Sequence, residues 1–220
     1  MVEGDTAYLQ GCIDAGVVHS PCLELGVGYE GPNNKARLEQ AGITYRGSDI
    51  RVAPTVDYVI DFEGPPEEVQ KSVGFEKFGS VLIFNVLEHT FDPIVVLDNA
   101  FSILRPGGTC IVVTPTVWPI HNYPIDCWRI NPSFYDEYCR RRSYEIDEGL
   151  FEYVGIHNVK ENKDVNGTYV LPLPSQSRLK TFISKVIHRL FNTFGRGMIF
   201  PSHIATGVVM TKPNDNVDVT

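Results

Sequence analysis

A short apolar run that ends in a glycine-rich turn constrains this chain more than any other feature. Residues 22–31 read Cys-Leu-Glu-Leu-Gly-Val-Gly-Tyr-Glu-Gly, so Gly26, Gly28 and Gly31 have the spacing G-x-G-x-x-G. A strand that passes through such a turn into a helix lets backbone approach a ligand closely and points a helix N-terminus at it. The turn predicts a nucleotide-type cofactor, and its spacing alone fits either NAD or S-adenosylmethionine.

The residue two places before the first glycine favours one of these cofactors. Glu24 carries a carboxylate at the end of the apolar run. A carboxylate there would repel the phosphates of a dinucleotide, whereas it would attract a ligand that carries an ammonium group. Glu24 therefore favours S-adenosylmethionine.

Strand-like and helix-like segments alternate along the chain. Strands are predicted over residues 21–26, 43–49, 56–62, 80–85, 109–114 and 205–211, and helices over 7–18, 33–41, 65–73, 94–104 and 132–142. This alternation predicts a doubly wound α/β sheet. The continuous apolar run at 80–85 is typical of a central parallel strand that is buried on both faces.

Composition narrows the class of protein. The 220 residues are 43% hydrophobic and 21% charged, which fits one globular domain over residues 1–214 with a polar tail at 215–220. The five cysteines are scattered and odd in number, which indicates free thiols in a reducing cytosol. The start of the chain lacks a signal-peptide pattern, so a cytoplasmic location is expected. A net charge of −8 argues against a nucleic-acid-binding domain.

Basic residues are concentrated near the C-terminus. Residues 165–214 contain six basic and no acidic side chains, so the rest of the chain carries −14. Within this stretch, residues 177–194 have apolar side chains at helical spacing. Three interpretations stay open: a helix packed on the domain or on a second copy in a homodimer, peripheral attachment to an anionic membrane surface, or binding of an anionic acceptor.

Five motifs occur in order between Leu23 and Pro132. They are the turn at 24–31, Asp49, Asp61-Phe62, Asn85-Val-Leu-Glu-His89, and Leu104-Arg-Pro-Gly-Gly108. In this order and spacing the chain resembles the class I S-adenosylmethionine-dependent methyltransferases, and within them a type 11/23-like, glycan-associated group. The resemblance implies a seven-stranded, mostly parallel, Rossmann-like sheet with an antiparallel last strand and an insertion before it. It also implies a cofactor half over residues 1–116 and an acceptor loop with the insertion over 117–203.

The resemblance implies a set of cofactor-binding residues for S-adenosylmethionine and its product S-adenosylhomocysteine. Glu24 and Gly26 would lie near the amino-acid end, Gly28 would allow close backbone approach, and Asp49 would accept from the ribose hydroxyls. Asp61 would accept from the adenine amino group with Phe62 beside the base, and residues 85–89 would line the methionine end. The full set is Glu24, Leu25, Gly26, Gly28, Asp49, Ile50, Asp61, Phe62, Asn85, Val86, Leu87 and His89.

A second group of candidate functional residues follows the predicted fifth strand. The segment His121-x-x-Pro-x-Asp126-x-Trp-Arg129 lies in a proline-rich and aromatic loop, and it resembles a pattern in methyltransferases associated with glycan genes. A neutral histidine is a natural general base for a hydroxyl acceptor. His121 is the candidate base, Asp126 its partner or an acceptor ligand, and Arg129 a binder of an acidic substrate group or the ion-pair partner of Asp126. The alternative is a loop in which these residues are only structural.

The leading functional hypothesis is O-methylation of a sugar, glycan or other small-molecule hydroxyl. The alternatives are N- or carboxyl-methylation of another metabolite, an NAD-dependent oxidoreductase, and a protein of this fold that binds without turnover. Along the chain no acids and histidines have the spacing of metal ligands, so no metal is expected.

Overall fold

Eight strands form one sheet at the centre of the protein. The structure is a computed structural model that describes residues 3–28, 34–75, 77–118, 120–121, 125–155, 186 and 204–214. The strands are β1 (Cys22–Leu25), β2 (Tyr45–Asp49), β3 (Tyr58–Val59), β4 (Phe78–Phe84), β5 (Leu104–Val117), β6 (Glu145–Ile146), β7 (Glu152–Gly155) and β8 (Ile204–Thr211). The helices are α1 (Glu3–Asp14), α2 (Lys35–Gln40), α3 (Pro66–Ser72), α4 (Pro93–Ile103) and α5 (Pro132–Arg142), with short 3-10 turns at Leu87–His89 and Glu148–Leu150.

The strand order is β3-β2-β1-β4-β5-β8-β6, and β7 also pairs with β8. Strands β1 to β5 pair in parallel, while β8 is antiparallel to β5, β6 and β7. The predicted doubly wound sheet with an antiparallel last strand is confirmed. Within the described residues the sheet has eight strands instead of the expected seven, because two short segments, β6 and β7, lie beside β8. Neither segment was predicted, since two and four residues carry little hydrophobic periodicity.

Two other strands differ in length from the prediction. Strand β3 keeps only Tyr58–Val59 of the predicted 56–62. Strand β5 begins at Leu104, before the Pro-Gly-Gly segment that was expected to precede it. The extension is stabilised by Gly107 N–H donating to the carbonyl of Lys212, while Lys212 N–H donates to that of Gly108.

Both faces of the sheet are buried, as expected for parallel strands covered by helices. Alternate residues of each strand point to opposite faces. In β4, Val81 and Ile83 pack towards the face that α3, α4 and α5 cover, and Leu82 packs towards α1 and α2. This arrangement leaves the carboxyl ends of β1, β2 and β4, with the loop after β5, as the edge where a ligand site is expected in an open α/β sheet.

The basic segment at 177–194 lies outside the described residues except for Val186. Its three interpretations therefore stay predictions, as does the tail at 215–220. In the described part of the chain, no helix has the length and apolar character needed to cross a membrane.

Candidate active site

Two glycines turn the chain away from the end of β1. Gly26 and Gly28 have φ of +69° and +64°, in the left-handed region that glycine adopts without strain. A Cβ on Gly26 would also lie 2.6 Å from Cγ2 of Val86. The backbone after β1 therefore lies close against the segment after β4, and only a glycine fits at position 26. Gly31 lies outside the described residues.

Glu24 is buried beneath this turn and ties three elements together. Its two carboxylate oxygens accept hydrogen bonds from Asn34 Nδ2 at 2.6 Å and from the Tyr45 hydroxyl at 2.8 Å. Burial raises the pKa of Glu24, and the two hydrogen bonds partly offset that effect. The carboxylate thus fixes β1 to β2 and to the start of α2. Its attraction for a ligand ammonium stays a prediction.

Asp49 ends β2 beside the glycine turn. Its Oδ2 accepts a hydrogen bond from Gly28 N–H at 2.9 Å, and its Oδ1 accepts one from Arg51 N–H at 3.0 Å. The contact arises because β1 and β2 are parallel neighbours, with Leu25 opposite Ser48. The predicted ribose acceptor therefore lies against the predicted cofactor turn, while the next residue, Ile50, is exposed.

Asp61 and Phe62 lie at the turn after β3. Asp61 is exposed, and its Oδ1 accepts from Glu63 N–H at 2.9 Å. Phe62 is buried in the core on the α3 and α4 side. Its carbonyl accepts from Asn99 Nδ2 at 2.8 Å, which fixes the turn. A contact of either residue with an adenine base stays a prediction.

The segment after β4 begins with a residue in the left-handed region. Asn85 has φ of +54°, and its backbone N–H donates to the carbonyl of Val113 in β5. Its side-chain amide donates to Asp5 of α1 at 2.8 Å, and Asp5 is buried. Leu87 is fully buried. Asn85 and Leu87 therefore hold this segment in place, while Val86 contacts the glycine turn.

The loop after β5 docks on this same segment. Cys127 N–H donates to the carbonyl of Glu88 at 2.7 Å, and the Trp128 indole N–H donates to that of Thr90 at 3.0 Å. Nδ1 of His89 forms a hydrogen bond with the carbonyl of Ile125. The predicted acceptor loop thus covers the predicted methionine end of the cofactor site.

Asp126 organises the loop. Its side chain is only 1% exposed, and the Arg129 guanidinium binds it through two nitrogens, NH1 to Oδ1 and NH2 to Oδ2. Arg129 Nε also donates to the carbonyl of Trp118 at 3.1 Å. Hydrogen bonding to Arg129 holds the pKa of Asp126 well below its usual range, despite burial. Of the two roles predicted for Arg129, the structure shows the ion pair with Asp126.

His121 lies on the other side of this carboxylate. Its backbone N–H donates to Oδ2 of Asp126 at 2.7 Å, and its Nδ1 lies 3.2 Å from the same oxygen. Its imidazole is 39% exposed. The His89 ring is edge-on to it, with the centroids 5.0 Å apart. The fold therefore brings the candidate base next to a predicted cofactor residue.

Glu88 is the residue that the sequence did not single out. Its side chain is 1% exposed, and neither carboxylate oxygen has a hydrogen-bond partner among the described residues. Burial raises the pKa of Glu88 to about 8, although its own backbone and the Arg129 charge act in the opposite direction. Ligand atoms of Glu88, His89 and His121 all lie within 4.8 Å of one another. No spacing along the chain signals this cluster, because α4 and β5 lie between His89 and His121.

The residues fit a nucleoside cofactor at one end of the site and an acceptor at the other. The glycine turn leaves no room for a Cβ at position 26, and a carboxylate lies at the end of the neighbouring strand. An oriented imidazole, that of His121, lies beside the segment after β4, and that segment carries a buried carboxylate, that of Glu88, which has no hydrogen-bond partner among the described residues. Such groups can take a proton from an acceptor or bind a cation.

Comparison with known proteins gives similarity in structure only. No protein-family profile matches the chain, and no curated protein matches its sequence. Many solved structures do match it.

Three of these structures span most of both chains. An S-adenosylmethionine-dependent methyltransferase from Archaeoglobus fulgidus has a TM-score of 0.51 at 16% identity, over 94% of this chain and 92% of that one. The 1,6-didemethyltoxoflavin-N1-methyltransferase of Burkholderia thailandensis, with bound 1,6-didemethyltoxoflavin and S-adenosylhomocysteine, has a TM-score of 0.54 at 10% identity over 95% and 77%. The [4+2]-cyclase SpnF has a TM-score of 0.53 at 14% identity over 97% and 84%.

At these identities the likeness establishes the fold, which is the Rossmann-like fold of class I methyltransferases. One of the three proteins is named as a cyclase. The fold by itself therefore does not specify the reaction, and function has to be argued from the site.

Proposed function

We propose that this protein is an S-adenosylmethionine-dependent methyltransferase that acts on a hydroxyl group of a sugar, glycan or other small molecule. Two contacts carry the proposal: Gly28, in the turn after β1, donates to Asp49 at the end of β2, and His121, paired with Asp126, lies against His89 in the segment after β4. The first contact suits a nucleoside cofactor, and the second suits an acceptor that must lose a proton.

The cofactor end has the features that such a ligand requires. The backbone at Gly26 and Gly28 can approach the ligand closely, Asp49 can accept from ribose hydroxyls, and Asp61 is exposed for an adenine amino group. When bound, S-adenosylmethionine supplies a methyl group on a positively charged sulfur, which is already activated for transfer. The protein then mainly has to position the acceptor and receive its proton.

His121 is the proposed general base. Because Nδ1 faces the Asp126 carboxylate, the neutral imidazole carries its proton on Nδ1 and has its lone pair on Nε2. Asp126 is held by the two nitrogens of Arg129, so it cannot swing away from the imidazole. In this account His121 is the catalytic residue, and Asp126 and Arg129 are positioning residues.

A sugar or similar ring is the proposed acceptor because the loop after β5 contains a tryptophan on each side of the His121–Asp126 pair. Trp118 and Trp128 flank the His121–Asp126 pair in sequence, and Trp128 is 43% exposed. Aromatic faces pack well against the apolar faces of sugar rings. A third aromatic residue of the loop, Tyr123, lies outside the described residues.

Ligand-induced thermal shifts test the cofactor first. We expect S-adenosylhomocysteine to raise Tm and NADH to leave it unchanged. The reverse result would revive an oxidoreductase, and no shift or calorimetric heat with either ligand would favour a protein that does not bind the methyl donor.

Methyl transfer from isotope-labelled S-adenosylmethionine to a panel of acceptors tests the reaction. The panel contains sugars and nucleotide sugars, amines, and carboxylic acids. Label in a base-stable ether product supports the proposal, whereas label only in amines or in base-labile esters supports N- or carboxyl-methylation. Binding without transfer to any class would indicate a protein of this fold without turnover.

A further inference from the structure

We propose that Glu88, His89 and His121 form a binding site for one divalent transition-metal ion, with open coordination positions for an oxygen of the acceptor. The ion-binding part of this inference is independent of the proposed function, and only the role of the ion in acceptor binding rests on it. The three ligand atoms lie within 4.8 Å of one another, in two segments that the fold brings together.

Glu88 is the strongest observation for a ligand at this point. Its side chain is 1% exposed, and neither of its oxygens has a hydrogen-bond partner among the described residues. A buried carboxylate without a hydrogen-bond partner is costly to ionise, so native proteins keep such a group protonated, pair it with a charge or place it on a metal. Its Oε1 lies 3.7 Å from Nε2 of His89, which points the carboxylate towards the two imidazoles.

In both histidines, Nδ1 makes the contact that orients the ring. Nδ1 of His89 bonds to the carbonyl of Ile125, which can only accept, so Nδ1 carries the proton. Nδ1 of His121 lies 3.2 Å from the Asp126 carboxylate. In each neutral ring the lone pair is then on Nε2. An imidazole that is oriented by a carbonyl or carboxylate through its other nitrogen is the usual arrangement of metal-binding histidines.

The donor set selects a class of ion. Two imidazole nitrogens and one carboxylate suit Zn²⁺, Mn²⁺, Fe²⁺ or Co²⁺ better than Ca²⁺ or Mg²⁺, which prefer oxygen ligands. Two ligands on one tetrahedral ion lie roughly 3.4 Å apart. Glu88 and His89 are already near that separation, and the ligand atom of His121 lies within 4.8 Å of both. Three protein ligands leave further positions open, as in catalytic metal sites.

The ion would alter how the acceptor loses its proton. A hydroxyl bound to the ion has a lowered pKa, so its proton would pass to solvent. The oxygen would then form the new bond to the methyl carbon, and the S–CH₃ bond would break with its electron pair remaining on sulfur. His121 cannot serve as ligand and as general base at the same time, because both roles use Nε2. The two roles are therefore distinguishable by experiment.

Direct ion binding is the decisive test, and it requires neither cofactor nor acceptor. The full-length protein, freed of metal with a chelator and exchanged into clean buffer, is titrated with Co²⁺ and followed by visible absorption, and with Zn²⁺ and Mn²⁺ by calorimetry. We expect one ion per chain. Glu88→Gln and His121→Gln should each weaken binding by roughly 100-fold. Asp126→Asn keeps all three ligands but loses the charge that orients His121 and pairs with Arg129, and it should weaken binding by roughly 10-fold.

Controls show whether weaker ion binding by these variants comes from loss of the site, and not from misfolding or from the loss of any histidine. His19→Gln removes a histidine at the opposite, amino-terminal end of β4, where the backbone N–H of His19 binds Ser80, and it should bind Co²⁺ as the wild type does. Circular dichroism and S-adenosylhomocysteine binding confirm that each variant is folded. Absence of stoichiometric binding by the wild type, or equal Co²⁺ affinity in wild type, Glu88→Gln and His121→Gln, would overturn the site.

Activity then distinguishes the two roles of His121. The ion acts on the acceptor if three results are found together: chelation abolishes methyl transfer, added Co²⁺ or Mn²⁺ restores it, and S-adenosylhomocysteine binding is unchanged throughout. Full methyl transfer by metal-free protein would overturn the role of the ion in the reaction while leaving His121 as base. Failure of S-adenosylhomocysteine to bind the wild type would contradict the proposed function and leave the ion-binding result standing.

Discussion

His121 and Asp126 meet at two points: the backbone N–H of His121 donates to Oδ2 of Asp126 at 2.7 Å, and the imidazole Nδ1 lies 3.2 Å from the same oxygen. One carboxylate therefore fixes both the path of the loop and the orientation of the ring. Arg129 donates hydrogen bonds to both carboxylate oxygens of Asp126. The imidazole of His121 is therefore positioned by a buried carboxylate that is itself held in an ion pair.

Asp126→Asn tests this arrangement. The change keeps the shape of the side chain but removes the charge that pairs with Arg129 and orients His121. We expect the free energy of unfolding to fall by somewhat less than the roughly 3–5 kcal/mol of a fully buried broken pair, because Arg129 is 25% exposed. Methyl transfer should fall by roughly 100-fold.

Urea unfolding and initial-rate assays measure both effects. Glu137→Gln is the matched control, because Glu137 binds Arg140 and Arg141 on the surface. Exposed ion pairs contribute little to stability, so the free energy of unfolding should hardly change in that variant. Equal stability loss in the two variants would contradict the organising role of Asp126.

Gly26→Ala tests the turn after β1. Alanine at φ of +69° is strained, and its Cβ would lie 2.6 Å from Val86. We expect a stability loss of about 2–4 kcal/mol, from backbone strain plus overpacking, and loss of S-adenosylhomocysteine binding.

Gly16→Ala separates the two causes. Gly16 has φ of +72°, but a Cβ at this position would have no other atom within 4 Å. The variant should lose only about 1–2 kcal/mol, the cost of the strained backbone, and keep its affinity for the ligand. If Gly26→Ala and Gly16→Ala behave alike in chemical denaturation and calorimetry, the close approach to Val86 has no consequence.

Asp49→Asn tests the predicted ribose contact. Removing the charge should weaken S-adenosylhomocysteine binding by about 10- to 100-fold, since hydrogen bonds to charged groups contribute about 1.5–3 kcal/mol. Asp57→Asn is a suitable control, because Asp57, in the loop before β3, also accepts from a backbone N–H, that of Gly47 in β2 at 2.8 Å. Calorimetry that shows unchanged affinity for Asp49→Asn would remove Asp49 from the cofactor site.

Tyr45→Phe tests the buried hydrogen bond to Glu24. Burial raises the pKa of Glu24, so its contribution to stability is present below about pH 4.5 and is lost as pH rises through the folded-state pKa. The Tyr45 hydroxyl favours the ionised form, so its removal raises the pKa further. We therefore expect a loss of about 1–3 kcal/mol at pH 8 and a smaller loss at pH 5.

Denaturant unfolding at the two pH values measures the difference. Tyr8→Phe serves as control, because the Tyr8 hydroxyl donates to the backbone carbonyl of Leu150, which does not titrate. Its stability loss should be similar at both pH values. A Tyr45→Phe loss that does not grow with pH would show that Glu24 stays neutral across the range.

The regular elements were predictable where local signals are strong. Helix α5 has the predicted bounds, because Pro132 is pre-organised for a first helical turn and Ser143 ends the helix in the left-handed region. The buried strands β1, β4 and β8 were also found from apolar runs. The sequence did not predict strands β6 and β7 or the early start of β5. Strands β6 and β7 are stabilised by pairing with β8, and the start of β5 by hydrogen bonds to Lys212 just after β8, so no local sequence pattern indicates them.

The site divides in the same way. The tight turn at Gly26 and Gly28 was predictable, because only glycine adopts positive φ without strain and leaves room for close backbone approach. Binding of a cofactor by this turn stays a prediction. The partnership of His121 with Asp126 was foreseen from their proximity in one loop. The burial of Glu88 and its approach to His121 were not, and no metal was expected because spacing along the chain does not reveal this cluster.

The sequence by itself determined the alternation of strands and helices and the glycine turn, since each depends on residue types a few positions apart. Only the tertiary structure decided that Glu88, His89 and His121 come together. The physical reason is that parallel strands bring their carboxyl ends to one edge. Side chains from the segments after β4 and β5 then meet there, although no local pattern in the chain relates them.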